Sequence, residues 1–338
     1  MDNEMISVIV SVYNTPACML KEAVESIWMQ TYKAIEFILV NDHSTKRETL
    51  DAIKNIVEEY PQIVLINNES NYGLTKSLNI ALGYCSGKYI ARMDADDISC
   101  ADRFMKQRNY MESHPEVCIV GSQVEKFGGL STKQPLRYRD YTGDEKRFRI
   151  KMLFENAGPV HPTVMIRRDF LVRNGITYRE EIKKTQDYAL WIDCLNAGGK
   201  IKNLDIPLLK YRIHEGQISE KDSEEQKRYR KQIIEEQIVQ TFGLFSEERL
   251  RVFSMLYSEN FGMKKRIYIE ALKEIMERNK LKSVYEEDVF NDEIRQRWIH
   301  KCIKCLMKGR DISGFFTGYT WRCLFSKSFI RWIKERIS

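Results

Sequence analysis

The stretch Tyr89-Ile90-Ala91-Arg92-Met93-Asp94-Ala95-Asp96-Asp97 decides the fold, because a short apolar run ends abruptly in three carboxylates within four positions. Such a run is typical of a buried strand that ends at a sheet edge. Carboxylates this close repel one another, so folding them together costs free energy unless a cation compensates. Their hard oxygen ligands suit Mg2+ or Mn2+. The alternative interpretation is a solvated acidic turn that caps the following helix.

Strand and helix patterns alternate through the N-terminal part of the chain. Apolar, β-branched runs predict strands, and apolar residues at helical spacing predict a helix between successive strands. This order predicts an α/β fold with a doubly wound, mostly parallel sheet flanked by helices. The predicted strands are 6–12, 37–40, 63–66 and 89–93, and the predicted helices are 20–28, 48–60 and 74–82.

Polar residues follow each of these four strands. In doubly wound sheets, ligands bind beyond the carboxyl ends of the strands. Turn chemistry explains any one of these residues, since turns favour Asn, Asp and Gly. Their common position at one sheet edge predicts a ligand site. The residues concerned are Tyr13, Asn14, Asp42, Asn71, Gly73, Asp94 and Asp96.

Further elements are predicted up to about residue 219. They are a strand over 117–127, a capping box at Thr142 and Glu145 that starts a helix, an extended segment over 161–166, a helix that begins near Asp187, and two strands over 201–204 and 208–213.

From residue 220 onward the sequence is charged and helical, without strand signals. We therefore predict a catalytic domain over 1–219 and a helical extension over 220–338, with helices at 224–242, 246–258, 264–280 and 288–306. Residues 300–338 hold nine basic and two acidic side chains. The end of the chain has the pattern of a basic amphipathic helix with aromatic residues, which predicts contact with an anionic membrane surface. The alternative is a terminal helix that packs on the domain and exposes its basic side.

Composition indicates a cytoplasmic location. The acidic N-terminus has no signal-peptide pattern, and no apolar run approaches the ~18 residues that span a bilayer. The eight cysteines are scattered, and several lie within apolar patterns, as expected for reduced, buried thiols. Peripheral contact with the inner membrane face is a further expectation, based on the basic tail.

Several motifs together resemble family 2 glycosyltransferases with the GT-A fold. The resemblance covers roughly residues 5–215 and is specific in its combination of motifs. Those motifs are Val8-Ile9-Val10-Ser11-Val12-Tyr13-Asn14, Val40-Asn41-Asp42-x-Ser44, Asn71-x-Gly73-Leu74, Arg92-Met93-Asp94-Ala95-Asp96-Asp97, His161-Pro162-Thr163 and Asp187-Tyr188-x-Leu190-Trp191.

The resemblance implies a nucleotide-sugar site at the sheet edge. Asp42 would accept a hydrogen bond from a pyrimidine ring, and Tyr13 and Asn14 would line the base pocket. Asn71 and Gly73 would pass close to the ribose or the phosphates. Asp94 and Ala95 would contact the nucleotide sugar, Asp94 at the ribose. Asp96, with Asp94 and His214, would hold the divalent cation, Mn2+ or Mg2+. Lys76 would add positive charge to the site, unless it is an ordinary solvated lysine.

Asp187 matches the catalytic base of the family. It would deprotonate an acceptor hydroxyl for in-line attack at the anomeric carbon, which inverts the configuration. The family usually has Glu-Asp at this place, whereas this chain has Gln186-Asp187. An N-cap role for Asp187 is expected in either case. His161 and His214 are pocket candidates whose alternative is an ordinary structural histidine.

The predicted reaction is transfer of a sugar from a UDP- or dTDP-sugar to a saccharide or lipid-linked acceptor in surface polysaccharide synthesis, without a nucleic-acid partner. A single transfer is favoured, because the Gln-x-x-Arg-Trp motif of processive synthases is missing. One alternative is a nucleotidyltransferase. That class needs a Gly- and Lys/Arg-rich loop after the first strand, where this chain has Tyr13-Asn14-Thr15-Pro16. The other is a non-catalytic module for nucleotides or nucleic acid, which has little use for both Asp96 and Asp187.

Overall fold

The structure, a computed structural model, describes residues 4–129, 135–136, 143–213, 224–256 and 265–307. Nine strands within these ranges form one sheet. The strands are β1 (Ile6–Val12), β2 (Ile35–Asn41), β3 (Val64–Asn67), β4 (Tyr89–Asp94), β5 (Ile98–Ser99), β6 (Val117–Phe127), β7 (Pro135–Leu136), β8 (Met165–Arg167) and β9 (Lys200–Arg212).

The strand order is β3-β2-β1-β4-β8-β6-β9-β5, with β7 paired to β6. The first four strands are parallel, as predicted, and β6 also runs parallel to β9. The short strands β8, β5 and β7 pair antiparallel. β8 overlaps the extended segment predicted over 161–166, whereas β5 and β7 were not predicted. This is the α/β architecture, with a mostly parallel sheet flanked by helices, that the alternation of elements predicts.

Helices cross between the parallel strands because a parallel connection must return over the face of the sheet. Those that connect β1 to β4 are α1 (Ala17–Trp28), α2 (Arg47–Glu59) and α3 (Leu74–Tyr84). The later helices of the first part of the chain are α4 (Arg103–Ser113), α6 (Arg168–Asn174) and α7 (Gln186–Asn196); α5 (Glu145–Met152) precedes a short 3-10 turn at His161–Thr163. The apolar faces of α1 and α2 pack with β1, β2 and β4 in one core.

Two local predictions differ from the structure. The N-cap of α5 is Asp144, whose carboxylate accepts from the Arg147 N–H, so the predicted capping box is wrong. The two strands predicted at 201–204 and 208–213 form the single strand β9. Its pairing with β6 is irregular around Pro207, because proline has no N–H to donate to the ladder.

The chain divides into two compact units. The first comprises residues 1–143 and 158–226, and the second comprises 144–157 and 227–338. The predicted extension starts at residue 220, whereas the C-terminal part of the second unit starts at 227, and the unit also contains α5. Its other described helices are α8 (Glu224–Phe242), α9 (Glu247–Met255), α10 (Lys265–Lys282) and α11 (Glu287–Met307).

The second unit has an apolar core that includes Phe148, Phe253, Tyr268 and Trp298. Among the described residues, no helix has the length and apolar character needed to cross a bilayer. The predicted terminal amphipathic helix lies outside the described residues.

Candidate active site

The carboxyl ends of β1, β2 and β4 meet at one edge of the sheet. Ser11 of β1 is in register with Asp94 of β4, and Val12 is in register with Asn41 of β2. The turn after β4 therefore lies beside the loops that follow β1 and β2. The shared edge that the sequence predicts is present.

Asp94, Asp96 and Asp97 form an acidic cluster in the turn after β4. One carboxylate oxygen of each lies within 4.8 Å of the others. Asp97 is 1% exposed, and its Oδ1 accepts from the Arg212 main-chain N–H across 2.9 Å. Asp97 is therefore a buried member of the cluster, and the solvated-cap alternative is wrong for it.

Burial raises the pKa of Asp97 well above its usual range, and the charges of Asp94 and Asp96 add to this effect. Burial also raises the pKa of Asp94, although Arg92 opposes that rise. Asp97 Oδ2 is buried, with no hydrogen-bond partner in the described part of the chain. Crowded, desolvated carboxylates repel one another, and a carboxylate oxygen without a hydrogen-bond partner is open to a ligand. Both features fit the binding of a divalent cation.

Arg92 is a functional candidate that the sequence reasoning missed. Its guanidinium is 2% exposed, and its Nη2 donates to Asp94 Oδ1. Arg92 and Asp94 are two residues apart on one strand, so their side chains share a face of the sheet. Arg92 thus fixes one oxygen of Asp94 and leaves the other for a ligand.

Asp42 is almost fully engaged with the protein itself. It is 2% exposed. Its Oδ1 accepts from Asn68 Nδ2 and from the Tyr72 N–H, and its Oδ2 accepts from the Gly73 N–H, each across 2.8 Å. Asp42 therefore holds the loop that leads into α3. The predicted contact with a pyrimidine ring stays a prediction.

Asn14 joins the loops that follow β1 and β2. Its Oδ1 accepts from the Thr45 N–H across 2.8 Å and from the Lys46 N–H across 2.9 Å. It adopts a left-handed φ of 54°, which asparagine tolerates better than most residues. The adjacent Tyr13 is 50% exposed at the sheet edge, so its ring is available to a ligand.

The remaining residues of the predicted donor pocket lie on the turn after β4, on the loop before α3 and in the first turn of α3. Asn71 is exposed. Gly73 is the N-cap of α3 and has a φ of 82°, which favours glycine. The Lys76 ammonium lies 4.0 Å from the centre of the Tyr72 ring. Ala95, between Asp94 and Asp96 in sequence, is 6% exposed and belongs to the buried core.

Asp187 lies in the first turn of α7, immediately after Gln186. Burial raises the pKa of Asp94 and of Tyr178, and the negative charge of Asp187 adds to both effects, so its carboxylate lies within electrostatic reach of both groups. The N-cap of α7 is Thr185, in the left-handed conformation and without a side-chain cap bond. The expected N-cap role of Asp187 is therefore wrong.

His161 has a structural environment. Its Nε2 lies 2.8 Å from the Tyr178 hydroxyl, and its ring meets Trp191 of α7 edge-on at 5.8 Å between centroids. Burial lowers the pKa of His161 well below its usual range, and the positive charge of Arg92 adds to this effect. The ring is thus a neutral support for α7. His214, the other predicted histidine, lies outside the described residues.

The architecture is shared with solved structures. The structure of Staphylococcus aureus TarS residues 1–349 in complex with UDP-GlcNAc matches at a TM-score of 0.61 and 18% identity, covering 91% of this chain and 93% of that one. The fold is thus of the GT-A type, so the predicted fold class is confirmed.

Sequence comparison identifies the family. The Glycosyl transferase family 2 model matches residues 7–174. An uncharacterized glycosyltransferase of Methanocaldococcus jannaschii is 35% identical over 217 residues, covering 63% of this chain and 72% of the relative. The amylovoran biosynthesis glycosyltransferase AmsE of Erwinia amylovora is 35% identical over 210 residues, covering 62% of this chain and 76% of the relative. The chain belongs to glycosyltransferase family 2, as the sequence motifs indicate, and the two alternative classes are set aside.

Proposed function

We propose that the chain is an inverting, metal-dependent glycosyltransferase that uses a UDP- or dTDP-sugar. The observation that carries this proposal is the acidic cluster of Asp94, Asp96 and Asp97 at the carboxyl edge of the sheet, with Asp187 within electrostatic reach. Family members generally use a divalent cation. The UDP-GlcNAc bound by TarS supports a nucleotide-sugar donor.

The residues at the sheet edge divide the binding task between the base and the diphosphate. The exposed ring of Tyr13 stacks on the base, beside the Asn14 loop and Asp42. Asn71 and Gly73 approach the ribose or the phosphates. Lys76 adds positive charge near the start of α3.

The carboxylates hold the part of the donor that reacts. Asp94 binds the ribose with the oxygen that Arg92 leaves free, next to Ala95. Asp96, with Asp94 and His214, would hold the cation. A bound Mn2+ or Mg2+ would neutralise charge that develops on the departing diphosphate.

Asp187 acts as the general base. Its carboxylate accepts the proton of the acceptor hydroxyl, while that oxygen forms a bond to the anomeric carbon. The bond between this carbon and the diphosphate oxygen breaks, and the nucleoside diphosphate leaves with the electron pair. Attack opposite to the leaving group inverts the configuration. The base and the donor carboxylates come from α7 and β4, so they can flank the sugar.

The acceptor in this proposal is a saccharide or a lipid-linked saccharide of a surface polysaccharide. The similarity to AmsE, whose name refers to amylovoran biosynthesis, supports this class. The nine basic residues of 300–338 favour contact with an anionic inner membrane face. Unchanged liposome binding after removal of residues 314–338 would contradict the membrane part of the proposal.

Thermal stabilisation by nucleotides tests the donor site. We expect UDP or dTDP to raise the melting temperature in the presence of Mn2+, because a ligand that binds the native state stabilises it by mass action. Asp96→Asn removes a cation ligand and should abolish the shift. Asp102→Asn is the matched control, since Asp102 forms a surface ion pair with Lys106 and should leave the shift intact. No shift with any nucleotide sugar would overturn the proposal.

A further inference from the structure

Arg212, the last residue of β9, contacts the acidic turn through both its main chain and its side chain. Its N–H donates to Asp97 Oδ1 across 2.9 Å, and its Nε donates to the main-chain oxygen of Asp96 across 2.7 Å. Its Nη2 donates to Glu22 of α1, and its guanidinium lies 4.3 Å from the centre of the Phe127 ring at the end of β6. One side chain therefore ties the turn to α1 and β6.

The geometry of the turn depends on such an external support. Asp96 and Asp97 follow the last residue of β4, so the ladder of that strand no longer fixes their main chain. Repulsion among the three carboxylates favours opening of the turn. A guanidinium presents donors in a rigid planar fork, so it can bind a carbonyl and a carboxylate simultaneously, which an ammonium group does less well. The Arg212 side chain is largely buried, which limits screening by solvent.

We propose that Arg212 is a positioning residue of the cation site. It holds the Asp96 main chain and the Asp97 side chain in the arrangement that brings the three carboxylates together. It acts through Asp96 and need not touch the donor. This inference rests on the proposed function, because it requires Asp96 to bind the cation.

Mn2+ titration of the full chain by calorimetry, with and without UDP, tests the proposal. Substitution of groups that orient metal ligands typically weakens metal binding by about 10–100-fold. We expect a loss of this size for Arg212→Met, which keeps an unbranched apolar side chain of similar length. Arg212→Lys should recover only part of the Mn2+ affinity that Arg212→Met loses, because lysine restores the positive charge without the planar set of guanidinium donors. Glu22→Gln, which leaves Arg212 in place but loosens its anchor, should give a smaller loss.

Lys210→Met is the matched control, because Lys210 lies on the same strand with an exposed side chain. It should bind Mn2+ as the unaltered chain does. Melting temperatures identify variants that are folded at the titration temperature. A purely structural role predicts a lower melting temperature with unchanged Mn2+ affinity in the folded fraction.

Three results separate the positioning role of Arg212 from the proposed function. Folded Arg212→Met with unaltered Mn2+ affinity refutes the positioning role. If Arg212→Met does not fold, unaltered affinity in Glu22→Gln refutes it. Failure of the unaltered chain to bind either Mn2+ or UDP refutes the proposed function itself.

Discussion

The Gly73 N–H donates to Asp42 Oδ2 across 2.8 Å, and this bond joins two loops that are 31 residues apart in sequence. The Tyr72 N–H and Asn68 Nδ2 donate to the other oxygen of the same carboxylate. Asp42 is therefore a structural organiser of the site edge, in addition to the base contact that we propose for it.

Asp42→Ala should lower the free energy of unfolding by about 2–3 kcal/mol, because it removes an ionised acceptor and leaves buried donors without a partner. Asp42→Asn should cost less, since its amide keeps one acceptor oxygen. Urea denaturation measures both. Asp51→Ala, which removes only an exposed i,i+4 ion pair with Arg47, should change stability by less than about 0.5 kcal/mol. Equal effects of the Asp42 and Asp51 variants would show that the Asp42 bonds contribute little.

Asp187→Asn should lower the rate of sugar transfer by about 10²–10⁴, the range for loss of a general base. Nucleotide affinity should remain, because the base contacts the acceptor. A steady-state transfer assay, combined with the nucleotide thermal shift, measures both properties. Asp193→Asn is a control on the same helix; it breaks the ion pair with Arg179 and should preserve turnover. Full activity of Asp187→Asn would exclude it as the base.

Gly158→Ala and Gly83→Ala should change stability in opposite directions. A Cβ at Gly158 would lie 2.4 Å from Trp191 Cδ1, so we expect a loss of about 1–3 kcal/mol from overpacking. A Cβ at Gly83, within α3, meets no atom within 4 Å, so alanine should stabilise the helix by about 0.5–1 kcal/mol. Chemical denaturation distinguishes them, and a stabilised Gly158→Ala would show that α7 can shift away.

The pH dependence of stability should contain a contribution from His161. Its pKa is lowered in the folded state, so the unfolded chain binds the proton more readily. This difference destabilises the fold as the pH falls below about 6.5, the ordinary histidine value, by up to ~1.4 kcal/mol per pH unit. Above that pH the contribution disappears.

His161→Gln should therefore flatten the loss of stability between pH 7.5 and pH 5 relative to the unaltered chain, as measured by urea unfolding at each pH. The raised pKa values of Asp94 and Asp97 act in the opposite direction and are common to both proteins. Parallel pH profiles for the two proteins would show that His161 is protonated without cost.

Glu293 should be essential for the second unit. It is 1% exposed, and its carboxylate lies 3.1 Å from the Arg147 and Lys151 side-chain nitrogens and 3.0 Å from that of Arg297. Glu293→Gln would leave buried cations undercompensated and should cost about 3–5 kcal/mol. Glu270→Gln, at a surface pair with Arg266, should have little effect. A near-neutral Glu293→Gln would mean that water reaches the cluster.

Much of the fold follows from local pattern. β1 and β4 are buried on both faces, so their continuous apolar runs are visible in the sequence. β8 spans only three residues, so the sequence predicts an extended segment there but not its antiparallel pairing with β4 and β6. The bulged β9 looked like two strands, because Pro207 interrupts the pattern.

The acidic residues of the site could be predicted because carboxylates clustered after an apolar run are unusual. Arg92 and Arg212 could not. Arg92 shares β4 with Asp94, and Arg212 is one of five charged residues of β9, so neither stands out in the sequence. Their roles depend on partners such as Glu22, which lies 190 positions from Arg212. Asp42 was found as a candidate, but its bonds to the α3 loop are tertiary contacts without a sequence signal.

The membership of α5 in the second unit has a consequence for synthesis on the ribosome. Arg147 of α5 and Glu293 of α11 are 146 residues apart. At about 5–20 residues per second, α5 emerges roughly 7–30 s before its charged partner. During that interval α5, whose buried residues include Phe148 and Ile150, lacks α11, the helix that it contacts. Nascent chains paused before α11 should therefore be a target for chaperones.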